Sequence, residues 1–452
     1  PAARREEGGQ PPDQIGRREE PPAPAPDELR ALAVRRPTLR AALGDDALVE
    51  RLDHAQRTTR GRLSPAAVRQ LYGRQVAMSA SRMDQYGSCH FAYFLRYGLD
   101  VQARRPAGFD APEYGTFVHF VLEHVLRGVR DGGGIAAHTD EAVADLARAA
   151  VRTYVQTVLG GWEHQSPRAR YLFRRLERNV LAVVENVTAE LRASDFQPLC
   201  FELGFGSGKD LPPVTVHAHG IDLRVSGFVD RIDGWEQDGR LYLRVVDYKT
   251  GRKSFDLTEV WNGLGLQLLL YLFALEDEGA ALFGTRPVPA GALYLPAREA
   301  MAVGERDMDP AERQRQLDKA LRRHGLILDD PAVAAAMERP EGGIRFLPLK
   351  VSARTGTIGG EVLVSAERLG RLKRHTQRIL EDICAELAAG NVDADPFWRG
   401  PQRNACQYCD YFQACQFEEG RDRRRWIPTM SNGAFWESLE RGGEDDGDPA
   451  HD

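Results

Sequence analysis

The chain has 452 residues, of which 42% are hydrophobic and 28% charged, a composition typical of soluble globular proteins. The net charge is −6, from 60 Lys and Arg against 66 Asp and Glu, so overall charge gives no argument for nucleic-acid binding. No run of 18 apolar residues and no signal-peptide pattern occurs. The sequence therefore predicts a cytoplasmic protein without a membrane span.

Composition divides the chain into four parts. Residues 1–27 are rich in Pro, Glu, Arg and Gly and lack apolar periodicity, which predicts a disordered linker or tail. Residues 28–78 carry helical patterns and are interpreted as a helical connector. We expect one domain over residues 79–418, followed by a tail over 419–452 that is acidic at its end. Because the chain begins without Met and is Pro-rich there, we expect a fragment of a longer protein.

The expected domain opens with two helical segments. The stretch from Ser81 to Asp84 resembles a capping box, with Ser81 as the cap. The stretch from Glu113 to Leu126 is predicted to be a helix that carries His119. Its imidazole could bind a metal or contact a phosphate, although a lone histidine on a helix is more often structural.

Two amphipathic patterns and two strand-like runs lead towards the centre of the chain. The patterns predict helices over residues 139–159 and 168–193, and the runs predict strands over 199–205 and 214–218.

A β-hairpin is predicted at the centre of the chain. Its strands are Leu223–Ile232 and Leu241–Lys249, and Asp238-Gly239 is the turn signal, since Gly accepts the positive φ of a tight turn. Side chains alternate faces along a strand, so Asp247 is predicted to share a face with the lysine at the strand end.

Two carboxylates and an amine converge on this predicted hairpin, from Asp230, Asp247 and Lys249. Carboxylates suit Mg²⁺, which prefers oxygen ligands, and a bound Mg²⁺ can activate water for attack on a phosphate. A nearby lysine can orient that water or offset developing charge. The alternative is a surface hairpin with an ordinary ion pair, because Asp-x-Lys on its own is common.

A helix is predicted after the hairpin, from about Trp261 to Glu276. Gln267 and Tyr271 are four positions apart and therefore share one face, either towards nucleic acid or at the edge of an amphipathic core helix. The later elements are predicted as a strand over 292–295, a helix over 309–324, a strand over 344–351 and a helix over 365–389.

Three of the six cysteines lie close together near the C-terminus, as Cys406-x2-Cys409-x5-Cys415. Clustered thiolates indicate a metal or an iron–sulfur cluster, and either one needs a fourth ligand. Cys89 is the natural candidate. Spacing alone leaves zinc and iron–sulfur open, with zinc the more general interpretation of clustered cysteines.

Six motifs in this order resemble the RecB-like PD-(D/E)xK nucleases, in particular the AddB-type iron–sulfur nuclease domain of AddAB helicase–nucleases. The resemblance extends from about Leu63 to Phe417. The matching segments are the stretch that ends at Cys89, Gly115-x-x-x-His119, Gly227-Phe-Val-Asp230, Asp247-Tyr-Lys249, Gln267-x-x-x-Tyr271 and the C-terminal cysteine motif.

The resemblance implies an α/β fold, with a central mixed sheet flanked by helices and an iron–sulfur staple that joins the N- and C-terminal parts. It implies a [4Fe–4S] cluster and a Mg²⁺ ion. The implied cluster ligands are Cys89, Cys406, Cys409 and Cys415; the implied Mg²⁺ ligands are His119, Asp230, Asp247 and the Tyr248 carbonyl; and the implied catalytic residues are Asp230, Asp247, Lys249, Gln267 and Tyr271.

The resemblance also implies a function, which is exonuclease cleavage of the 5′-terminated DNA strand during double-strand break processing. The implied partners are DNA single strands and an AddA-like helicase–nuclease subunit. No Gly-x-x-x-x-Gly-Lys-Ser/Thr motif is present, so no ATP hydrolysis is expected from this chain. The alternatives are a catalytically inactive module that binds or routes DNA, a stand-alone nuclease of the same type, and a zinc-bearing scaffold.

Overall fold

A computed structural model of the protein describes residues 61–102, 111–161, 167–303, 308–341, 343–419 and 422–442. These residues belong to one unit that runs from Gly61 to Asp452. The predicted tail over residues 1–27 lies outside the described residues, as do residues 28–60 of the predicted connector and the acidic end of the chain.

The described residues form fourteen α-helices and thirteen strands. The helices are α1 (Pro65–Tyr72), α2 (Ala80–Ser88), α3 (His90–Tyr93), α4 (Ala111–Asp131), α5 (Asp140–Thr157), α6 (Pro167–Ala193), α7 (Leu257–Trp261), α8 (Gln267–Glu278), α9 (Ala280–Phe283), α10 (Pro310–Ala320), α11 (Pro331–Met337), α12 (Ala366–Ala388), α13 (Phe412–Cys415) and α14 (Asn432–Arg441). The strands are β1 (Gln75–Met78), β2 (Gln197–Phe205), β3 (Val214–Ala218), β4 (Ile221–Val225), β5 (Gly227–Gln237), β6 (Arg240–Lys249), β7 (Val288–Pro296), β8 (His324–Leu328), β9 (Lys350–Val351), β10 (Ile358–Gly359), β11 (Leu363–Val364), β12 (Phe397–Trp398) and β13 (Arg425–Trp426).

A six-stranded mixed sheet lies at the centre, in the order β11-β8-β7-β6-β5-β2. Strands β2, β5 and β6 are antiparallel neighbours, whereas β6 and β7 are parallel and are joined by a crossover through α7, α8 and α9. Helices α4, α5 and α6 contribute to the core on one side of the sheet, and α8 and α12 contribute to the core on the other. The predicted mixed α/β fold is therefore confirmed.

The predicted hairpin turn is confirmed. Gln237 pairs with Arg240, and the two residues between them, Asp238 and Gly239, have φ values of 51° and 74°. Alternation along β6 is confirmed as well. Leu243 packs in the core that contains α8, and Val246 packs in the core that contains α4.

The first strand of the hairpin differs from the prediction. Leu223–Ile232 was expected to be continuous, but it divides at Ser226 into β4 and β5. The Ser226 N–H donates to the Met78 carbonyl, because β4 pairs with β1 and β3 in a separate three-stranded sheet. Only β5 belongs to the central sheet.

Three other predicted elements also differ. The helix expected from Trp261 begins at Gln267, because Gly263 and Gly265 have positive φ and separate α7 from α8. The helix expected over 309–324 ends at Ala320, since His324 begins β8. Of the strand expected over 344–351, only β9 forms.

The capping box is misplaced by two residues. Ser79, not Ser81, caps α2, because its hydroxyl accepts from the Arg82 N–H. Asp84 instead accepts a hydrogen bond from the Gly265 N–H at 2.8 Å, just before α8. Its carboxylate thereby fixes the start of the helix that carries Gln267.

A fully buried ionic network joins α6 to the hairpin. The Glu190 carboxylate on α6 accepts from the Arg323 guanidinium at 2.8 Å and lies 3.3 Å from that of Arg244. Asp233 on β5 accepts from Arg244 at 2.8 Å and lies 2.9 Å from Arg231 Nε. These side chains are 0–1% exposed, so the hairpin is joined to α6 by charged groups that are shielded from water.

In the part of the chain that the structure describes, no helix combines the length and the apolar character that a membrane crossing requires.

Candidate active site

Helix α4 brings His119 to the ends of β5 and β6. Its Nε2 lies 3.1 Å from the Tyr248 carbonyl oxygen, and its Nδ1 lies 3.5 Å from Asp230 Oδ1. A Cβ on Gly115 would lie 3.7 Å from Thr250 Oγ1, so α4 passes close to the chain that follows β6. Burial lowers the pKa of His119, which favours a neutral ring with a lone pair for a cation.

Asp230 occupies the point where β5 and β6 cease to pair. The last described pair of their ladder is Arg231 with Val246, and beyond it Asp230 Oδ2 accepts from the Tyr248 N–H at 2.7 Å. The Asp230 carboxylate thus accepts a backbone N–H that would otherwise bond to a carbonyl of the neighbouring strand. Burial, followed by the Asp247 carboxylate, raises the pKa of Asp230 well above its usual value.

Glu202 on β2 joins this cluster, and the sequence analysis missed it. One ligand atom from each of His119, Glu202 and Asp230 lies within 4.8 Å of the others. Burial, then Glu123 and Asp247, raises the pKa of Glu202 to about 7. The available signal was a lone carboxylate inside the apolar strand Leu-Cys-Phe-Glu-Leu-Gly-Phe, just before the hairpin.

Four of the residues predicted to be catalytic form a chain of contacts. Lys249 Nζ lies 2.5 Å from Asp247 Oδ2 and donates to Gln267 Oε1 at 3.1 Å. The Gln267 amide in turn donates to the Tyr271 hydroxyl at 3.1 Å. The lysine is 22% exposed and Asp247 is 1% exposed, so the amine lies at the opening and the carboxylate lies beneath it.

This donor set fits a divalent cation. An imidazole and carboxylate oxygens are ligands that such ions accept, and burial, followed by neighbouring carboxylates, raises the pKa values of Glu202 and Asp230. A cation among them would favour their ionised forms. The Tyr248 carbonyl faces the same imidazole, so it lies beside the cluster.

The four cysteines of the predicted staple line one small cavity, together with apolar side chains such as Phe91 and Phe417. Cys89 lies between α2 and α3, whereas Cys406 and Cys409 lie between β12 and α13, and Cys415 is the last residue of α13. None of the four forms a disulfide.

The chemistry of the cysteine cavity fits a thiolate-bound metal or cluster. Burial raises the pKa of the Cys89 thiol to about 12, and burial followed by Cys409 and Cys415 raises that of Cys406. Such thiols stay protonated unless a metal takes the place of the proton. Residues from both parts of the chain line this cavity, so a group bound to the four cysteines would link them.

The family model for the PD-(D/E)XK nuclease superfamily matches residues 77–416. The chain is also similar to proteins named as one subunit of an ATP-dependent helicase/deoxyribonuclease. That of Desulforudis audaxviator is 35% identical over 390 residues, which is 85% of this chain and 33% of the relative. That of a Thermoanaerobacter species is 31% identical over 396 residues, which is 86% of this chain and 34% of the relative.

The chain thus spans about a third of the length of these relatives. The family match covers the central sheet, the acidic cluster and the four cysteines of the cavity. The chain belongs to the PD-(D/E)XK nuclease superfamily.

Proposed function

We propose that the chain is a Mg²⁺-dependent deoxyribonuclease that hydrolyses phosphodiester bonds. The observation that carries the proposal is the convergence of His119, Glu202 and Asp230, with the Asp247–Lys249 pair beside them. Carboxylates, an imidazole and one amine at the end of a sheet form a set suited to phosphate hydrolysis. No covalent intermediate is required.

The proposed ligands of Mg²⁺ are the side chains of His119, Glu202, Asp230 and Asp247, with the Tyr248 carbonyl. When bound there, Mg²⁺ supplies Lewis-acid polarisation of the phosphate and a lower pKa for an attacking water. The His119 ring presents a lone pair to this site because burial keeps it neutral.

Lys249 is proposed to bind a phosphate oxygen or the attacking water through its ammonium. Gln267 fixes the position of this ammonium, and Tyr271 fixes Gln267 in turn. The amine is therefore oriented before substrate arrives, which lowers the cost of reorganisation during the reaction.

The biological setting is proposed from the relatives, whose names describe one subunit of an ATP-dependent helicase/deoxyribonuclease. We infer that the chain acts on single strands of unwound DNA ends, on the 5′-terminated strand, together with an AddA-like helicase–nuclease subunit. All the groups proposed for cleavage lie on this chain. Cleavage therefore does not require the chain itself to hydrolyse ATP or to move along DNA.

The cysteine cavity is proposed to hold a [4Fe–4S] cluster on Cys89, Cys406, Cys409 and Cys415. The cluster would join the start of the domain to its end, a connection that restricts the unfolded chain. Protein contacts support the same junction, since the His90 N–H and imidazole both bond to the Asp395 carboxylate.

The test is cleavage of end-labelled single-stranded DNA with Mg²⁺. Asp247→Ala should lose cleavage by at least about a hundredfold, the usual scale for a lost catalytic group, and should keep DNA binding. Full activity of this variant would exclude the site. Wild-type protein that binds DNA but never cuts it would favour an inactive strand-routing module.

A further inference from the structure

An exposed aromatic ring lies beside the acidic cluster and has no role in the mechanism above. Phe228 on β5 is 50% exposed, although the next residues, Val229 and Asp230, are buried. The Lys209 ammonium lies 3.7 Å from the centroid of this ring. That distance is well inside the range of about 6 Å over which a cation is attracted to a ring face.

The arrangement is built into the backbone. A Cβ on Gly204 would lie 2.9 Å from Lys209 Cδ and 3.2 Å from Phe228 Cε1, and a Cβ on Gly206 would lie 3.4 Å from Lys209 Cδ. The lysine side chain therefore crosses two glycines that leave it room. A single exposed phenylalanine is common on protein surfaces, but the ring of Phe228 also has the Lys209 ammonium packed against it.

The loop that carries Lys209 is held in place by its own hydrogen bonds. The Gly204 N–H donates to Asp210 Oδ2 at 2.8 Å, and the Leu211 N–H donates to the Gly204 carbonyl at 3.1 Å. The Gly206 N–H donates to the Leu211 carbonyl at 2.8 Å, which closes the loop. These bonds hold the loop, and the Lys209 ammonium itself donates to the Gly227 carbonyl at 3.5 Å.

The pair also lies at a suitable distance from the reacting centre. Phe228 pairs with Gly204 across β5 and β2, and Asp230 and Glu202 are two residues further along the same strands. Two residues of a strand span about 7 Å, which is on the scale of one nucleotide step in an extended single strand. A nucleotide adjacent to the scissile phosphate would therefore reach the ring.

We propose that Phe228 and Lys209 form a subsite for one nucleotide of a single DNA strand. The base stacks on the Phe228 ring, and the Lys209 ammonium binds the neighbouring phosphate. This subsite rests on the nuclease function proposed above and extends it. Stacking on an aromatic ring tolerates any base, whereas bases inside a duplex are not free to stack, so the subsite selects single strands without reading sequence.

The experiment measures binding and cleavage separately, on the full chain. Binding of a fluorescent single-stranded oligonucleotide is followed by anisotropy in EDTA, and cleavage of the same oligonucleotide is followed with Mg²⁺. A set of oligonucleotides carries one abasic residue at each position in turn. Phe228→Ala is compared with Phe228→Trp and with Tyr171→Ala, which removes a ring that is 71% exposed on α6.

Phe228→Ala should weaken binding and lower kcat/KM by about tenfold, the scale of one lost stacked base. An abasic residue at one position should cause the same loss in the wild type and no further loss in Phe228→Ala. Phe228→Trp and Tyr171→Ala should match the wild type. Lys209→Gln should lower the slope of log K against log salt by about 0.7, the value for one phosphate contact on a single strand.

Three results would overturn the subsite. They are wild-type affinity in Phe228→Ala, equal losses from Phe228→Ala and Tyr171→Ala, and additive losses from the variant and the abasic residue. Failure of the nuclease function gives a different pattern, because the wild type would then bind the oligonucleotide in EDTA and leave it uncut with Mg²⁺. The binding measurements would still decide on the subsite in that case.

Discussion

Loss of the Glu190 charge should destabilise the fold strongly, because three buried guanidinium groups surround this carboxylate. Burial alone would raise the pKa of Glu190, but Arg323, Arg244 and Arg231 outweigh it and lower the pKa from 4.5 to about 2. At about 1.36 kcal/mol for each pKa unit, that change corresponds to about 3 kcal/mol. Removal of one partner from a buried network typically costs about 3 to 5 kcal/mol.

The variant is Glu190→Gln, which keeps the shape of the side chain and removes its charge. The free energy of unfolding, measured by urea titration at pH 7, should fall by about 3 to 5 kcal/mol. Glu185→Gln is the matched control, since Glu185 is exposed on the same helix and should change stability by no more than about 0.5 kcal/mol.

The pH dependence gives a second check on the same reasoning. The folded-state pKa of Glu190 is depressed, so its contribution is fully present above pH 4.5 and is lost as the pH falls towards 2. The difference between wild type and Glu190→Gln should therefore shrink below pH 4.5. A loss under about 1 kcal/mol at pH 7, or a loss equal to that of Glu185→Gln, would show that the Glu190 charge does not stabilise the fold.

Two further predictions concern the cation and the cysteines. The pKa of Glu202 is raised to about 7, so protons should compete with Mg²⁺, and Mg²⁺ titrations of cleavage should show affinity falling as the pH drops below 7. Glu202→Gln should bind Mg²⁺ more weakly and lack this dependence; an unchanged profile would contradict the assignment. Cys406→Ser, purified anaerobically, should lose iron and visible absorbance and unfold earlier, whereas Cys200→Ser should not. Zinc without iron in the wild type would contradict the cluster.

Local rules predicted the elements that place the catalytic strand. The turn at Asp238-Gly239 needs two positive φ values, and the alternation along β6 follows from the geometry of any strand. These two facts bring Asp247 and Lys249 to one end of the sheet. The same rules place Gln267 and Tyr271 on one helical face, even though that helix begins six residues later than predicted.

Long-range contacts explain what the sequence analysis missed. The division of the first strand at Ser226 depends on β1, which lies far away in sequence, and the Gly265 N–H just before α8 is bonded by the distant Asp84. The periodicity of apolar residues predicts which face of an element is buried. It does not predict which distant segment of the backbone that element contacts. The burial of Arg231 and Arg244 was likewise not predicted, because a charged residue in a strand normally indicates an exposed face.

The role of Glu202 in the site could not be predicted from local sequence either. Its strand was predicted, but its role depends on pairing between β2 and β5 and on the approach of α4, neither of which has a local signature. His119 was noted on its predicted helix as a possible ligand, but its place among the metal ligands was implied only by the resemblance to a family, because a single histidine on a helix carries no information about its partners.

Calorimetric titration of the full chain with Mn²⁺ or Mg²⁺ tests the central claim most directly, which is that side chains from α4, β2, β5 and β6 surround one divalent cation. The account predicts saturable binding at this site in the wild type and its loss in both Asp230→Asn and His119→Ala, with the fold of each variant intact by circular dichroism. Unchanged binding in both variants, or no binding in the wild type, would contradict it.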